Sequence, residues 1–376
     1  MNEKELREIK RRFRPDKNNI PRIVGCFVNT AGNIIARISQ PIGLTDSVAA
    51  QKLLTVMKKT LSGTLGTNLK SISYTTHQVT DGECHNLLMA LNDGKLSDAD
   101  TLEKLYARVI ESIRLETNYV ILLAADTYDV PSFSKDGEES DSGTVFNYTV
   151  CAVCPLKSLP EALTFRESDS LFHLLGESCI LGAPELGCMF HAFDDRCTNI
   201  YGALYYTRSL SESYPDFMKN VLDSAPVMPP RAQKEAFSAL ISDSLSEDCS
   251  LELVRSVQNQ VSEMVKEHKE SRDPEPLTLT KATVKGVLEN CGVAEEKLER
   301  LCEAFDESFG KNAELCPKNI LPERKFELSM PEVSIKISPE YRNLVTTETV
   351  GDTKYVMIKV TGEVTVNGIA INLADN

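Results

Sequence analysis

Tyr119-Val120-Ile121-Leu122-Leu123-Ala124-Ala125 is the longest apolar run in this 376-residue chain. A short unbroken apolar run of this kind predicts a buried strand. It is far short of the roughly 20 residues that cross a bilayer, so no membrane insertion is expected. Immediately upstream, Leu102, Leu105, Val109, Ile110 and Ile113 share one face of a helix predicted over 98–116. Downstream, residues 135–143 are acidic and serine-rich and read as an exposed mobile loop.

Working outward, the amino terminus predicts a short helix over 3–13 stopped by Pro15, then strands over 22–29 and 33–39 joined by Thr30-Ala31-Gly32-Asn33. A helix capped by Asp46 carries Val48, Leu53, Leu54, Met57 and Leu61 and ends at Gly63, and 69–75 returns as an alternating strand. A further helix is predicted over 81–91. From 144 to 208 strand signals dominate, at 146–153, 162–166, 186–193 and 200–206. After Ser209 the pattern becomes helical, at 214–223, 231–244, 250–271, 281–290 and 295–309, broken by prolines such as Pro226, Pro229 and Pro274. The end is β again, with Gly351-Asp352 and Asn367-Gly368 where antiparallel strands would turn. The expectation is an α+β fold in three parts: an amino-terminal mixed sheet with helices over 1–209, a helical segment over 210–310, and a carboxy-terminal antiparallel β meander over 311–376 that could pack on the first part.

Hydrophobic residues make up 41% and charged residues 26% of the chain, the composition of a folded globular protein. Eleven cysteines, with no apolar leader at the start, imply reduced thiols in a cytoplasmic protein rather than a disulfide framework. The net charge of −14 favours solubility and repels nucleic acid and anionic lipid over most of the surface. The exception is the first 22 residues, where eight basic side chains face four acidic ones. Arg11, Arg12, Arg14 and Lys17 are therefore candidate anion-binding residues, for RNA, a phosphorylated ligand or an acidic partner. They could equally neutralise the acidic remainder of this chain or of another subunit.

A second candidate is Asp194-Asp195-Arg196-Cys197-Thr198-Asn199, followed by Tyr201. If the chain turns there, the two carboxylates with Arg196 and Asn199 could bind a divalent metal, orient a water or clamp a polar ligand. The alternative is a strand connection whose Asp, Thr and Asn side chains cap their own backbone. Cys151-x-x-Cys154 with Cys188-x-x-His191 has a zinc-like outline. Residues three apart on a strand face opposite ways, however, so convergence would need a knuckle before Pro155. No metal or other cofactor is assigned. Lys59-Thr60 precede Gly63 and Gly66, the wrong order for a phosphate-binding loop, and Gly176-Glu177-Ser178-Cys179-Ile180 lacks the second glycine of a nucleophile elbow. Residues 281–309 outline a helix–turn–helix about Gly292. Its second helix bears Glu295, Glu296, Glu299, Glu303, Asp306 and Glu307, which would repel a phosphate backbone, so a protein-packing hairpin is expected.

Several strings carry a family likeness: Arg11-Arg12-Phe13-Arg14-Pro15-Asp16-Lys17-Asn18-Asn19-Ile20, Lys59-Thr60-Leu61-Ser62-Gly63-Thr64-Leu65-Gly66, Pro184-Glu185-Leu186-Gly187 and Ala192-Phe193-Asp194-Asp195-Arg196. Thr198-Asn199-Ile200-Tyr201, Ala203-Leu204-Tyr205-Tyr206-Thr207 and Asp273-Pro274-Glu275-Pro276-Leu277 add to them. Together they resemble a bacterial family known only as domain of unknown function 4317. The resemblance spans nearly the whole chain and implies a full-length cytosolic bacterial member, but it supplies no activity, ligand or catalytic residue. The place of His191 is usually proline in that family and that of Cys188 aromatic, which counts against a structural metal there. The reading that results is a binding or regulatory protein without catalytic activity, whose partner would be another protein or a second copy. A metal-assisted hydrolase or phosphoester-cleaving enzyme at Asp194-Asp195-Arg196 is the first alternative. RNA or anion binding by the basic amino terminus is the second.

Overall fold

The computed structural model describes residues 1–133, 139–140, 144–271, 277–320, 326–330, 332–360, 362, 364–366 and 369–371. The described residues divide into two compact units, Met1–Ala232 and those from Gln233 onward. The fold is α+β. In the first unit a sheet is built from β1 (Arg22–Val28), β2 (Ile34–Pro41), β3 (Leu69–Ser73), β4 (Tyr119–Asp129), β5 (Val145–Leu159), β6 (Leu186–Asp194) and β7 (Cys197–Thr207). Their order is β2-β1-β4-β5-β6-β7-β3, and every pairing along it is antiparallel.

The apolar run of β4 explains why this sheet needs cover on both sides. Successive side chains of a strand point to opposite faces. Val120, Leu122 and Ala124 accordingly enter one core, while Ile121, Leu123 and Ala125 enter another. The neighbouring β5 behaves alike, with Phe146, Tyr148, Val150 and Ala152 in the former and Cys151 and Val153 in the latter. Helices α1 (Glu3–Arg12) and α2 (Ser47–Lys59) cover the first face through Leu6, Ile9, Leu54 and Met57. On the other face lie α4 (Glu83–Asp93), α5 (Ala99–Ser112) and α6 (Pro215–Leu222), preceded by the short α3 (Thr76–Asp81). The helix α6 follows the composition change at Ser209, yet Phe217, Met218, Val221 and Leu222 complete the first unit's core.

The second unit packs α7 (Pro230–Leu245), α8 (Leu251–Ser271), α9 (Lys281–Asn290) and α10 (Glu295–Phe309) around Phe237, Val261, Leu288, Leu301 and Phe305. Helix α10 buries Leu298, Leu301 and Phe305 at helical spacing, and its acidic face is partly neutralised by α9. Lys281 reaches Asp306 at 2.6 Å and Lys285 reaches Glu295 at 2.6 Å. The carboxy-terminal strands form three separate antiparallel pairs, Phe326–Met330 with Val333–Ile337, Val345–Val350 with Thr353–Ile358, and Val364–Val366 with Ile369–Ile371.

Of the acidic stretch 135–143 only Glu139–Ser140 is described, paired with Ser132–Phe133. The remainder of that expected loop, the Asn367-Gly368 turn and the 273–276 proline segment lie outside the described residues.

Candidate functional site

Helix α1 is held in place from both ends. At its start Asn2 accepts hydrogen bonds from the Lys4 and Glu5 amides at 3.0 and 3.1 Å, and the Asn2 amide donates to Glu5 Oε2 at 2.8 Å. This capping box satisfies donors that a helix otherwise leaves open. Leu6, Ile9 and Phe13 then anchor the inner face in the core. At its end the buried carboxylate of Asp126, at the close of the β4 apolar run, collects four donors. Arg12 Nε and Nη2 donate to it at 3.0 and 3.2 Å, the Asn19 amide at 2.7 Å and the Tyr148 hydroxyl at 2.9 Å. Asn19 Nδ2 donates to the Thr127 carbonyl at 2.7 Å. The turn 13–19 is therefore tied to β4 by a two-point Arg–carboxylate fork and two backbone-directed bonds.

That anchoring fixes what the outer face presents. Lys4, Arg7, Glu8 and Arg11 recur at three- and four-residue spacing, so they share one side of α1. Together with Arg12, Asp16, Lys17, Tyr128 and Arg196 they line a cleft of about 770 Å³. Among its described lining residues six are cationic and two, Glu8 and Asp16, are acidic. Arg7 pairs with Glu3 at 3.2 Å on the exposed helix surface. Lys4, Arg11 and Lys17 are exposed and have no carboxylate partner among the described residues. Arg12 lies over the Tyr128 ring, 4.7 Å from its centroid, as well as pairing with Asp126. Burial pulls its guanidinium down, but the hydrogen bond and charge of Asp126 outweigh this and hold it above its ordinary value.

Arg196 reaches the same cleft from the sheet. Asp194 and Cys197 pair across a two-residue turn in which Asp195 and Arg196 have φ of +49° and +57°. This is the pattern of a type I′ hairpin. Left-handed backbone is unfavourable for a long side chain such as arginine. Contacts with α1 hold it there, since the Arg196 amide donates to Glu5 Oε1 at 3.4 Å and Nη2 to Glu8 Oε1 at 3.0 Å. The same Glu8 oxygen accepts from the Tyr128 hydroxyl at 2.7 Å. Burial, then the Glu8 hydrogen bond, push the Tyr128 hydroxyl up to about 12. Arg196 Nε is shielded from solvent and has no acceptor within the described structure.

The two sequence candidates thus meet through Arg196, and they meet only in part. Arg11, Arg12 and Lys17 line the cleft, whereas Arg14 is not among its lining residues. The carboxylate of Asp194 is engaged on both oxygens, one by the Met1 amine and the other by Asn199 Nδ2 at 2.6 Å. Asp195 is exposed on the turn, Thr198 is exposed, and Tyr201 is 44% exposed with its amide donating to Asn199 Oδ1 at 2.9 Å. The four zinc-like residues are not brought together. Cys151 and Cys188 are cross-strand partners in one core and Cys154 lies in the other. His191 packs against Met89 and Asn92 of α4, and burial pulls its imidazole below the ordinary histidine value. Sequence reasoning passed over Lys4, Arg7, Glu8 and Tyr128, although the helical spacing of the first three was visible.

A family model described as domain of unknown function DUF4317 matches residues 1–369. The chain belongs to that family. The match takes in the capped helix, the Asp126 anchor and the hairpin carrying Arg196, so the whole cleft lies within the matched region. No curated protein matches this family member. No helix among its described residues is long and apolar enough to cross a membrane.

Proposed function

We propose that this DUF4317 family member is a binding protein of the bacterial cytosol, without catalytic activity of its own, that holds an anionic ligand in the cleft along α1. The observation that carries the reading is the set Lys4, Arg11 and Lys17. These are three exposed cations without carboxylate partners among the described residues, gathered beside Arg7 and Arg196 on a chain of net charge −14. Clustered like charges repel one another, and an acidic protein gives them no global reason to collect in one concave place. An anion would relieve the repulsion. The cytosolic assignment is supported by 11 free thiols, four of which, Cys26, Cys151, Cys154 and Cys188, are buried as small hydrophobes would be. A metal-assisted hydrolase at Asp194-Asp195-Arg196 draws no support from the geometry, because both oxygens of Asp194 already have partners within the chain.

Thermal unfolding in phosphate-type anions against sodium chloride at equal ionic strength tests the reading. A ligand present at about 100 times its Kd stabilises the native state by about 2.7 kcal/mol, which is several degrees of Tm for a unit of this size. The expected result is a rise with pyrophosphate that disappears in Lys4→Ala/Arg11→Ala/Lys17→Ala. Equal shifts in both salts, or in both proteins, would contradict it.

A further inference from the structure

We infer that the natural ligand of this cleft is a compact molecule carrying two or more neighbouring phosphoryl groups, an inference that rests on the anion-binding reading above. Three features separate this class from a nucleic-acid strand and from a polycarboxylate.

The first is the density of charge. The described lining residues carry a net +4, and Lys4 and Arg11, seven positions apart on α1, are separated along the helix by about 10 Å. A terminal phosphoryl group brings up to two negative charges, so two or three adjacent groups match that charge within that length. A phosphodiester strand brings one charge per phosphate and would leave the same length under-neutralised. A polycarboxylate would need four carboxylates in the same space. The guanidinium of Arg11, exposed and without a carboxylate partner among the described residues, also presents a planar fork that fits phosphoryl oxygens two at a time.

The second is the surrounding field. An overall charge of −14 against +4 at the cleft leaves −18 for the rest of the chain. A long polyanion leaving the cleft would run along an acidic surface that repels it. A compact one stays within the basic zone, and about 770 Å³ is within the range that accommodates a small molecule.

The third is the lack of a stacking platform among the described residues. Proteins that hold single strands usually offer aromatic faces to successive bases. Tyr128 is the one aromatic among the described residues lining the cleft. Arg12 covers its ring, Phe193 packs at 6.2 Å between centroids, and its hydroxyl is tied to Glu8. Recognition therefore falls on the phosphoryl groups themselves.

Calorimetric titration of the full chain tests this, with inorganic orthophosphate, inorganic tripolyphosphate, citrate and a 12-nucleotide single-stranded RNA at one fixed ionic strength near 150 mM. The expected result is that tripolyphosphate binds at least tenfold more tightly than each of the other three. The same tightness should fall at least tenfold in Arg11→Ala/Lys17→Ala, whose altered positions are exposed and do not contribute to the core. Citrate, RNA or orthophosphate binding as tightly as tripolyphosphate would overturn the inference while leaving the anion-binding reading standing. Binding of none of the four would remove both.

Discussion

Asp126→Ala is expected to destabilise the first unit by about 3–5 kcal/mol, the usual consequence of deleting one partner of a buried ion pair. The carboxylate is 3% exposed and accepts from Arg12, the Asn19 amide and the Tyr148 hydroxyl at once. Its removal would strand a guanidinium whose side chain is only 15% exposed, together with a backbone amide and a phenol that have no other acceptor there. Each unsatisfied donor adds to the loss. Asp126→Asn keeps the shape and one acceptor, so its cost should fall between that of alanine and zero. Urea unfolding of the two variants against the parent measures this. A loss below about 1 kcal/mol for alanine would show that the anchor is dispensable. Since this anchor orients the end of α1, the alanine variant should also bind anions more weakly.

Lys70→Met should raise stability at pH 7 and remove a pH-dependent contribution at higher pH. Lys70 lies on β3 at 6% exposure, and its ammonium donates to the Met228 carbonyl at 2.6 Å. Burial lowers its pKa from 10.5 to about 8. The unfolded chain thus holds this proton up to about pH 10.5 while the folded chain releases it near 8. Folding is penalised most below pH 8, where both states are charged and only one is buried, and the penalty fades between 8 and 10.5. At about 1.4 kcal/mol per unit the full span is about 3 kcal/mol. Methionine avoids this penalty but gives the Met228 carbonyl no ammonium donor, so the net gain at pH 7 should be about 2 kcal/mol. Buried thiols such as Cys26, raised to about 12 by burial, titrate in the opposite sense. The test is therefore the difference between parent and variant unfolding free energies from pH 7 to 10.5. The variant's advantage should shrink steadily above pH 8, and a constant difference would contradict the account.

Much of this architecture was legible because burial leaves a regular trace. The apolar runs at 119–125 and 22–28 are strands for the same reason that they are apolar, namely that the sheet is covered on both faces there, while the alternation at 69–73 marks an edge strand with Ser71 and Ser73 exposed. The helix at 76–81 was passed over although Thr75 and Gln78 form a capping box, since six residues are too few to show a periodic face. The strand Leu171–Leu175 escaped for a different reason, as four of its five residues are exposed and no alternation marks it. The break at Ser209 registers a change of secondary structure, which is not where packing divides: α6 belongs to the core before it.

The site was legible as charge and illegible as geometry. Arg11, Arg12, Arg14 and Lys17 look alike in sequence, but Arg12 has its carboxylate partner 114 positions away and is largely structural, while Arg11 and Lys17 point into the cleft. Arg196 stood in a separate string that invited a metal reading. Its connection to Glu8, 188 positions away, depends on a hairpin turn meeting a helix, and no local pattern encodes that meeting.

Amide hydrogen exchange of the full chain with and without inorganic tripolyphosphate reports where an anion acts as well as whether it binds. Slowed exchange is expected, concentrated between Lys4 and Asn19 and at the turn bearing Arg196. Protection confined to other parts of the chain, or no protection at saturating anion, would contradict anion binding in the cleft.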